Sequence, residues 1–267
     1  MSPSGLERIA AAFAGSAKRA ALMPYMMGGY PDLDRSLAIA NASIEAGADL
    51  IELGVPFSDP LADGPVIHAA ATRALAGGVK IDDVLELAAK FSDRVALIVM
   101  SYANTVLTPG AEAFLERLGD AGVAGLIVPD LPYEEGEELA AAAQARGLAL
   151  VPLVAPTTTD ARLELIGARA RGFVYVVSVT GTTGERASTP KRLASLIARV
   201  KRAATVPVAL GFGISNPEQA VAAADAGADG VIVGSRLVRA AGADGDGAHE
   251  VGRIVGEFAT ALAASVA

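Results

Sequence analysis

EAGADLIELGVPFSDPLADG, residues 45–64, decides the fold. Ala46-Gly47 ends a helix-like segment, because glycine accepts the positive φ of a helix C-terminus without strain. A short buried strand follows, with Leu50, Ile51, Leu53 and Val55 apolar and Glu52 in their midst. Side chains alternate across a strand, so Glu52 points to the face opposite Ile51 and Leu53. Gly54, Pro56 and Pro60 stop the strand and stiffen the loop. That loop adds Asp59 and Asp63 before Gly64-Pro65 opens the next helix. A carboxylate within an aliphatic strand must be solvated, paired or protonated, since burying it alone as a charge is very costly.

The plan recurs. DAGVAGLIVPD (120–130) and DAGADGVIVGS (225–235) repeat the helix end, the single short connection and the strand. Eight strands are expected: Leu22–Met26, Leu50–Leu53, Val95–Met100, Gly125–Val128, Ala149–Leu153, Phe173–Val177, Val208–Leu210 and Gly230–Val233. Helices are expected between them near 34–46, 65–76, 111–121, 134–146, 160–170, 190–203 and 216–226, with a last one near 247–264. Nearly continuous apolar strands alternating with helices imply a parallel sheet covered on both faces. Eight units without a composition break favour a closed (β/α)8 TIM barrel in the α/β class. An open doubly wound sheet would more often carry G-x-G-x-x-G after its first strand, which MPYMMGGYP (23–31) lacks. Leu6, Ile9, Phe13 and Ala17 lie on one stripe, so an extra N-terminal helix is expected over about 6–20. The barrel then spans about 21–265, and residues 1–267 read as one domain.

Composition narrows the chemistry. A length of 267 residues with 52% hydrophobic content supports a large core, and a net charge of −8 argues against nucleic acid as partner. Without cysteine there is no thiolate nucleophile and no Cys-ligated zinc, and His68 and His249 are too far apart for a His-based metal site. No apolar run approaches the roughly 20 residues that cross a bilayer, and Ile9–Ala14 is short for a signal-peptide core. A cytoplasmic protein is the expectation.

In such barrels chemistry gathers at the C-terminal ends of the strands. The segments there carry Glu52 and Asp63 after strand two, Ser101-Tyr102-Ala103-Asn104 after strand three and Pro129-Asp130 after strand four. Tyr175 lies on strand six, before Gly181-Thr182-Thr183-Gly184; Gly211-Phe212-Gly213 ends strand seven and Gly234-Ser235 ends strand eight. Three neighbouring glycine-rich turns, with Ser235 opening a short helix, expose N–H groups suited to a phosphate. Glu52, among aliphatics, should have its pKa raised by desolvation; Asp63, on a loop, should stay ionised. Tyr175 either lends a phenol to the same cavity or is a core tyrosine. Asp130 is expected to cap the helix that follows it. The lysines fall in helices or their flanking turns, which disfavours a Schiff-base aldolase and leaves acid/base cleavage of a phosphorylated substrate.

The chain resembles the tryptophan synthase α-subunit family over nearly its whole length. Ile51-Glu52-Leu53-Gly54 through Phe57-Ser58-Asp59-Pro60-Leu61-Ala62-Asp63-Gly64 carries the resemblance most specifically. Tyr102-Ala103-Asn104, Gly181–Gly184, Gly211-Phe212-Gly213-Ile214 and Gly234-Ser235 support it. The resemblance implies retro-aldol cleavage of indole-3-glycerol phosphate to indole and glyceraldehyde 3-phosphate. It assigns C3 protonation and removal of the glycerol hydroxyl proton to Glu52, and the indole N–H to Asp63. It gives the phosphate to Gly184, Gly213, Gly234 and Ser235, the indole slot to Tyr25, Met100 and Ile127, and a lid role to Thr183. Gly211, Phe212 and Tyr175 complete the expected site. No cofactor is implied in this subunit; pyridoxal phosphate is expected only in a β-subunit partner, met within an α2β2 complex through the loop at 55–61.

Overall fold

The computed structural model describes residues 3–177, 190–211, 213–243 and 245–263. Nine parallel strand segments form one sheet: β1 (Ala21–Met27), β2 (Leu50–Gly54), β3 (Ala96–Met100), β4 (Gly125–Ile127), β5 (Ala149–Leu150), β6 (Leu153–Val154), β7 (Val174–Val177), β8 (Val208–Gly211) and β9 (Gly230–Val233). Their order is β5-β4-β3-β2-β1-β9-β8-β7-β6. The two ends of that order are halves of one run of chain, separated only by Val151-Pro152. The Val151 N–H donates to the Leu126 carbonyl at 2.9 Å on one side, and the Tyr175 N–H donates to the Pro152 carbonyl at 2.9 Å on the other. The run therefore pairs with both neighbours and the sheet closes as a TIM barrel. Proline has no N–H to give the ladder, so Pro152 interrupts the expected fifth strand between β5 and β6.

Alternation sorts the core into two layers. Met23, Tyr25, Leu50, Ile98, Ile127, Val151, Phe173, Tyr175, Ala209 and Ile232 face inward and pack together. Leu22, Met26, Ile51, Leu53, Leu97, Val99, Val174, Val176, Val231 and Val233 face outward under the helices. A one-residue slip of any strand would exchange the two sets, so this pattern fixes register.

Helix α1 (Gly5–Gly15) closes the N-terminal end of the barrel. Ser4 and Glu7 form a reciprocal capping box at its start. Ile9 is fully buried, and Phe13 packs on Phe173 with ring centres 5.6 Å apart. The Arg8 guanidinium spans to the carbonyls of Gly122 at 2.7 Å and Val95 at 2.6 Å. The helix stops at Gly15, short of the expected residue 20, because Ser16 turns extended at its C-terminus.

The remaining helices are α2 (Leu33–Glu45), α3 (Pro65–Ala76), α4 (Ile81–Ala89), α5 (Ala103–Leu107), α6 (Ala111–Asp120), α7 (Glu137–Ala145), α8 (Asp160–Arg169), α9 (Pro190–Ala203), α10 (Pro217–Asp225), α11 (Ser235–Ala241) and α12 (Gly247–Ala263). Helix α4 adds to the expected set. Its apolar residues at 81, 84, 85 and 88 follow helical spacing, and Val84, Leu85 and Ala88 are buried. Helix α5 likewise adds one short turn of helix after β3.

The repeated Ala-Gly-Ala-Asp has a physical cause. Gly47 and Gly227 take φ values of 101° and 98° at the helix ends. The aspartate that follows each bonds the neighbouring strand and a lysine. Asp49 accepts from the Leu22 N–H at 2.7 Å and Lys18 Nζ at 2.9 Å. Asp229 accepts from the Val208 N–H at 2.8 Å and Lys201 Nζ at 2.7 Å. In the third copy, where Ala124 replaces the acid, the Arg8 guanidinium from α1 crosses to the Gly122 carbonyl beside it.

Candidate active site

Glu52 lies inside the barrel. Its Cα pairs with Tyr25 on β1 and Ile98 on β3, and the residue is 0% exposed. Neither carboxylate oxygen has a hydrogen-bond partner. An acid so placed is poorly solvated, and burial followed by the nearby Asp63 charge pushes its pKa up to about 8. At neutral pH it is mainly the protonated acid.

Asp63 is half-buried on the loop between β2 and α3. Its own N–H donates to the Pro60 carbonyl at 3.2 Å, closing a tight turn. Burial raises its pKa to about 6, while a hydrogen bond from Tyr102 and the nearby His68 hold it down. The expected separation of the two acids is present, with Asp63 raised less than Glu52 and mainly ionised at pH 7. His68, on α3, is exposed.

Two further phenols share the interior. Tyr25 and Tyr175 are both buried. Burial, and then the charges of Asp63 and Glu52 for Tyr25 and of Glu52 and Asp63 for Tyr175, drive both well above the ordinary phenol range. They therefore serve as neutral hydroxyls. Each ring tip needs a glycine: the Tyr25 hydroxyl rests against Gly54 at the end of β2, and the Tyr175 hydroxyl against Gly211 at the end of β8. A Cβ on either glycine would overlap the ring. Gly54, Met100 and Ile127 stand in register on β2, β3 and β4, forming one level of the wall just above Glu52.

At the same end of the barrel, Gly213 takes φ +81° and is exposed after β8. Gly234 precedes α11 and lies over Tyr25, and Ser235 is the first, exposed residue of that helix. Phe212 and residues 178–189, including Thr182, Thr183 and Gly184, fall outside the described residues.

Two residues have places that the sequence did not assign. Tyr102 is buried after β3, stacks on Phe57 with ring centres 5.0 Å apart and an interplanar angle of 21°, and accepts the Ala62 N–H at 3.1 Å. Asp130 is a cap, but not of the helix that follows it. It crosses from the end of β4 to accept the Ala103 N–H at 2.8 Å, at the start of α5. Acids at strand ends face neighbouring loops as readily as their own, and sequence distance hides this. Among the described residues no three His, Cys, Asp or Glu side chains gather as metal ligands. Among them, too, no helix is long and apolar enough to cross a membrane.

Residues 12–266 match the family described as "Tryptophan synthase alpha chain". The tryptophan synthase alpha chain of Carboxydothermus hydrogenoformans is 52% identical over 237 residues, covering 87% of this chain and 88% of that one. That of Prochlorococcus marinus is 49% identical over 247 residues, covering 91% and 90%. A Mycobacterium tuberculosis tryptophan synthase structure superposes with a TM-score of 0.88 at 38% identity, covering 99% of this chain and all of the other. A chain of the Pyrococcus furiosus tryptophan synthase α2β2 complex superposes with a TM-score of 0.84 at 38% identity, covering 90% and 98%. Barrel, interior acid and nearly full-length similarity lead to one conclusion: the chain belongs to the tryptophan synthase alpha chain family.

Proposed function

We propose that the family's reaction, cleavage of indole-3-glycerol phosphate to indole and glyceraldehyde 3-phosphate, runs here on Glu52 and Asp63. The observation that carries this reading is a carboxyl group with no hydrogen-bond partner, fully buried inside the barrel, where burial favours its protonated form. Such an acid can deliver its proton to C3 of the indole ring, turning the ring into an indolenine-like cation. The Asp63 carboxylate accepts the indole N–H and stabilises the positive charge on nitrogen. The Glu52 carboxylate, having lost its proton, takes one from the glycerol hydroxyl. The carbon–carbon bond then breaks, its electron pair returns to the ring, and the hydroxyl carbon becomes the aldehyde of glyceraldehyde 3-phosphate. Every proton and electron pair is accounted for without a cofactor.

Tyr25, Met100 and Ile127 line the slot for the flat ring, and Tyr175 offers a neutral hydroxyl from the opposite wall. Gly211, Gly213, Gly234 and Ser235, with Phe212 and Gly184, hold the phosphate through backbone N–H groups and the Ser235 hydroxyl. Thr183 acts from a lid that excludes water. The chain works as one domain in the cytoplasm and assembles with a pyridoxal-phosphate β subunit as α2β2, meeting it through residues 55–61. Indole passes to that partner for tryptophan synthesis.

The test is direct. Purified protein, alone and with a β subunit, is given indole-3-glycerol phosphate, and glyceraldehyde 3-phosphate and indole are measured together. Equimolar release of both products is expected. Absence of either product under both conditions would overturn the reading.

A further inference from the structure

We infer that a cavity outside the barrel, between α7 and α8 at the fifth strand, binds an aromatic carboxylate. The strand pattern shows where cover is missing. Outward-facing apolar residues of the other strands are buried under helices, among them Leu22, Leu53, Val99, Val174 and Val231. Leu150 and Pro152, which alternation places outward on the run from β5 to β6, stay partly exposed. The cause lies in the helices. Helix α6 packs on α7 and α8 packs on α9, whereas side chains make the main links from the α7 side to α8. The Tyr133 hydroxyl donates to the Leu165 carbonyl at 2.7 Å, Arg162 donates to Glu134 at 2.8 Å, and Arg169 pairs with Glu137 at 2.7 Å. Beside these links lies a cavity of about 250 Å³, lined by Val128, Leu131, Leu150, Pro152 and Ile166 with Tyr133 and the two arginines.

The lining selects the ligand. Leucine, proline and the Tyr133 ring give apolar walls suited to a flat ring. Among the lining residues the only charged side chains are Arg162 and Arg169, so an anion is favoured and a cation opposed. The Arg169 guanidinium lies over the Tyr133 ring, 4.7 Å from its centre, which orients the planar fork that a carboxylate accepts from. Glu134 and Glu137 pair with these arginines, but both carboxylates are exposed, and exposed pairs contribute little. A ligand carboxylate whose ring covers Leu150 and Pro152 at the same time displaces them. The volume lies at the small end of ligand cavities and suits a bicyclic ring. This cavity is separate from the barrel interior. On β4, Ile127 faces the interior, and the next residue, Val128, lines the cavity. The inference therefore stands whatever becomes of the roles given to Glu52 and Asp63.

The probe is 2-naphthoate, titrated into the full chain with 13C-labelled leucine and isoleucine methyl groups and followed by NMR. Signals are assigned by their loss in Leu150→Val, Ile166→Val, Ile127→Val and Ile232→Val. The Leu150 and Ile166 methyls should shift and saturate, while Ile127 and Ile232, which report on the barrel interior, stay in place. The uncharged 2-naphthamide should bind at least about 10-fold more weakly, because it lacks the charge that the arginines recognise. Arg162→Gln/Arg169→Gln should weaken 2-naphthoate at least about 10-fold. Glu134→Gln/Glu137→Gln should tighten it at least about twofold, since the competing carboxylates are gone. This second variant reads the site by a gain of binding, which misfolding cannot imitate. Failure to saturate below about 10 mM overturns the inference, that being weaker than a specific site of this kind would bind. Shifts confined to Ile127 and Ile232, equal affinity for the amide and the carboxylate, or unchanged affinity in both double variants would overturn it as well.

Discussion

At the scale of single residues, the proposed site rests on two carboxyl groups that the same barrel treats differently. Glu52 is raised to about 8 by complete burial, and Asp63 to about 6 because it keeps a donor and partial solvent. If Glu52 acts first as an acid and Asp63 as a carboxylate, kcat/KM should be bell-shaped. Activity is lost below about pH 6 as Asp63 gains a proton, and above about pH 8 as Glu52 loses one. A profile flat from pH 5 to 9 would contradict this. The same shift has a consequence for stability. A carboxyl whose pKa is higher in the folded than in the unfolded chain stabilises the fold at low pH. That contribution disappears as pH rises from about 4.5 to about 8. Glu52→Gln does not titrate, so its stability relative to wild type should rise over that range, by on the order of 4 kcal/mol at most. Thermal melts of both proteins at pH 5 and pH 8.5 measure it, and a difference in Tm independent of pH would count against the burial argument. The proposed acids, Glu52 and Asp63, stood out in the sequence because an acid interrupted an aliphatic strand and another followed on a proline-stiffened loop. Tyr102 and Gly54 were not assigned, since their roles arise from contacts across strands: a β3 phenol on the β2 loop, and a β1 phenol on a β2 glycine.

At the scale of elements, the repeated Ala-Gly-Ala-Asp is more than a helix stop. Its aspartate ties the start of one strand to the strand beside it, so the motif is a register clamp used twice. The two clamps differ in exposure. Lys18 and Asp49 are each 13% exposed, whereas Lys201 and Asp229 are 40% and 36% exposed. Asp49→Ala should therefore cost about 2–3 kcal/mol, leaving the Leu22 N–H and a sheltered ammonium without a partner. Asp229→Ala should cost about 1 kcal/mol, because water replaces much of what is lost. Urea unfolding of both variants measures the difference, and equal costs would mean that shelter from solvent is not what separates them. The strand pattern was legible because alternation in a closed barrel leaves apolar residues on both faces. Helix α4 was not, because its nine residues follow α3 after only a short turn, where the eight-unit plan has no place for a second helix. The break in the fifth strand follows from Pro152, which is visible in the sequence; its use to close the barrel depends on which strands lie on either side.

At the scale of the whole molecule, the two ends of the barrel have opposite designs. The N-terminal end is shut by α1, with Ile9 and Phe13 filling it. The C-terminal end collects the acids, the phenols and the glycine turns. It also carries two conspicuous exposed apolar residues, Leu61 at 90% and Leu107 at 51% exposure, on the loop after β2 and at the end of α5. They lie on the segments that follow the neighbouring strands β2 and β3, and Leu61 ends the 55–61 stretch proposed to meet the β subunit. Leu61→Asp should weaken association with a β subunit at least about 10-fold, read by titration calorimetry, and leave cleavage by the isolated chain within about twofold. Undiminished association would exclude Leu61 from that interface.

The central claim is that the buried Glu52 carboxyl moves the protons of the cleavage reaction. Glu52→Gln keeps the size and shape of the side chain and removes only its ability to exchange a proton near neutral pH. Steady-state release of glyceraldehyde 3-phosphate from indole-3-glycerol phosphate, measured at pH 7 beside binding of the same substrate, should show turnover reduced by about 10²-fold or more with binding retained. Turnover within a few-fold of wild type would contradict the account.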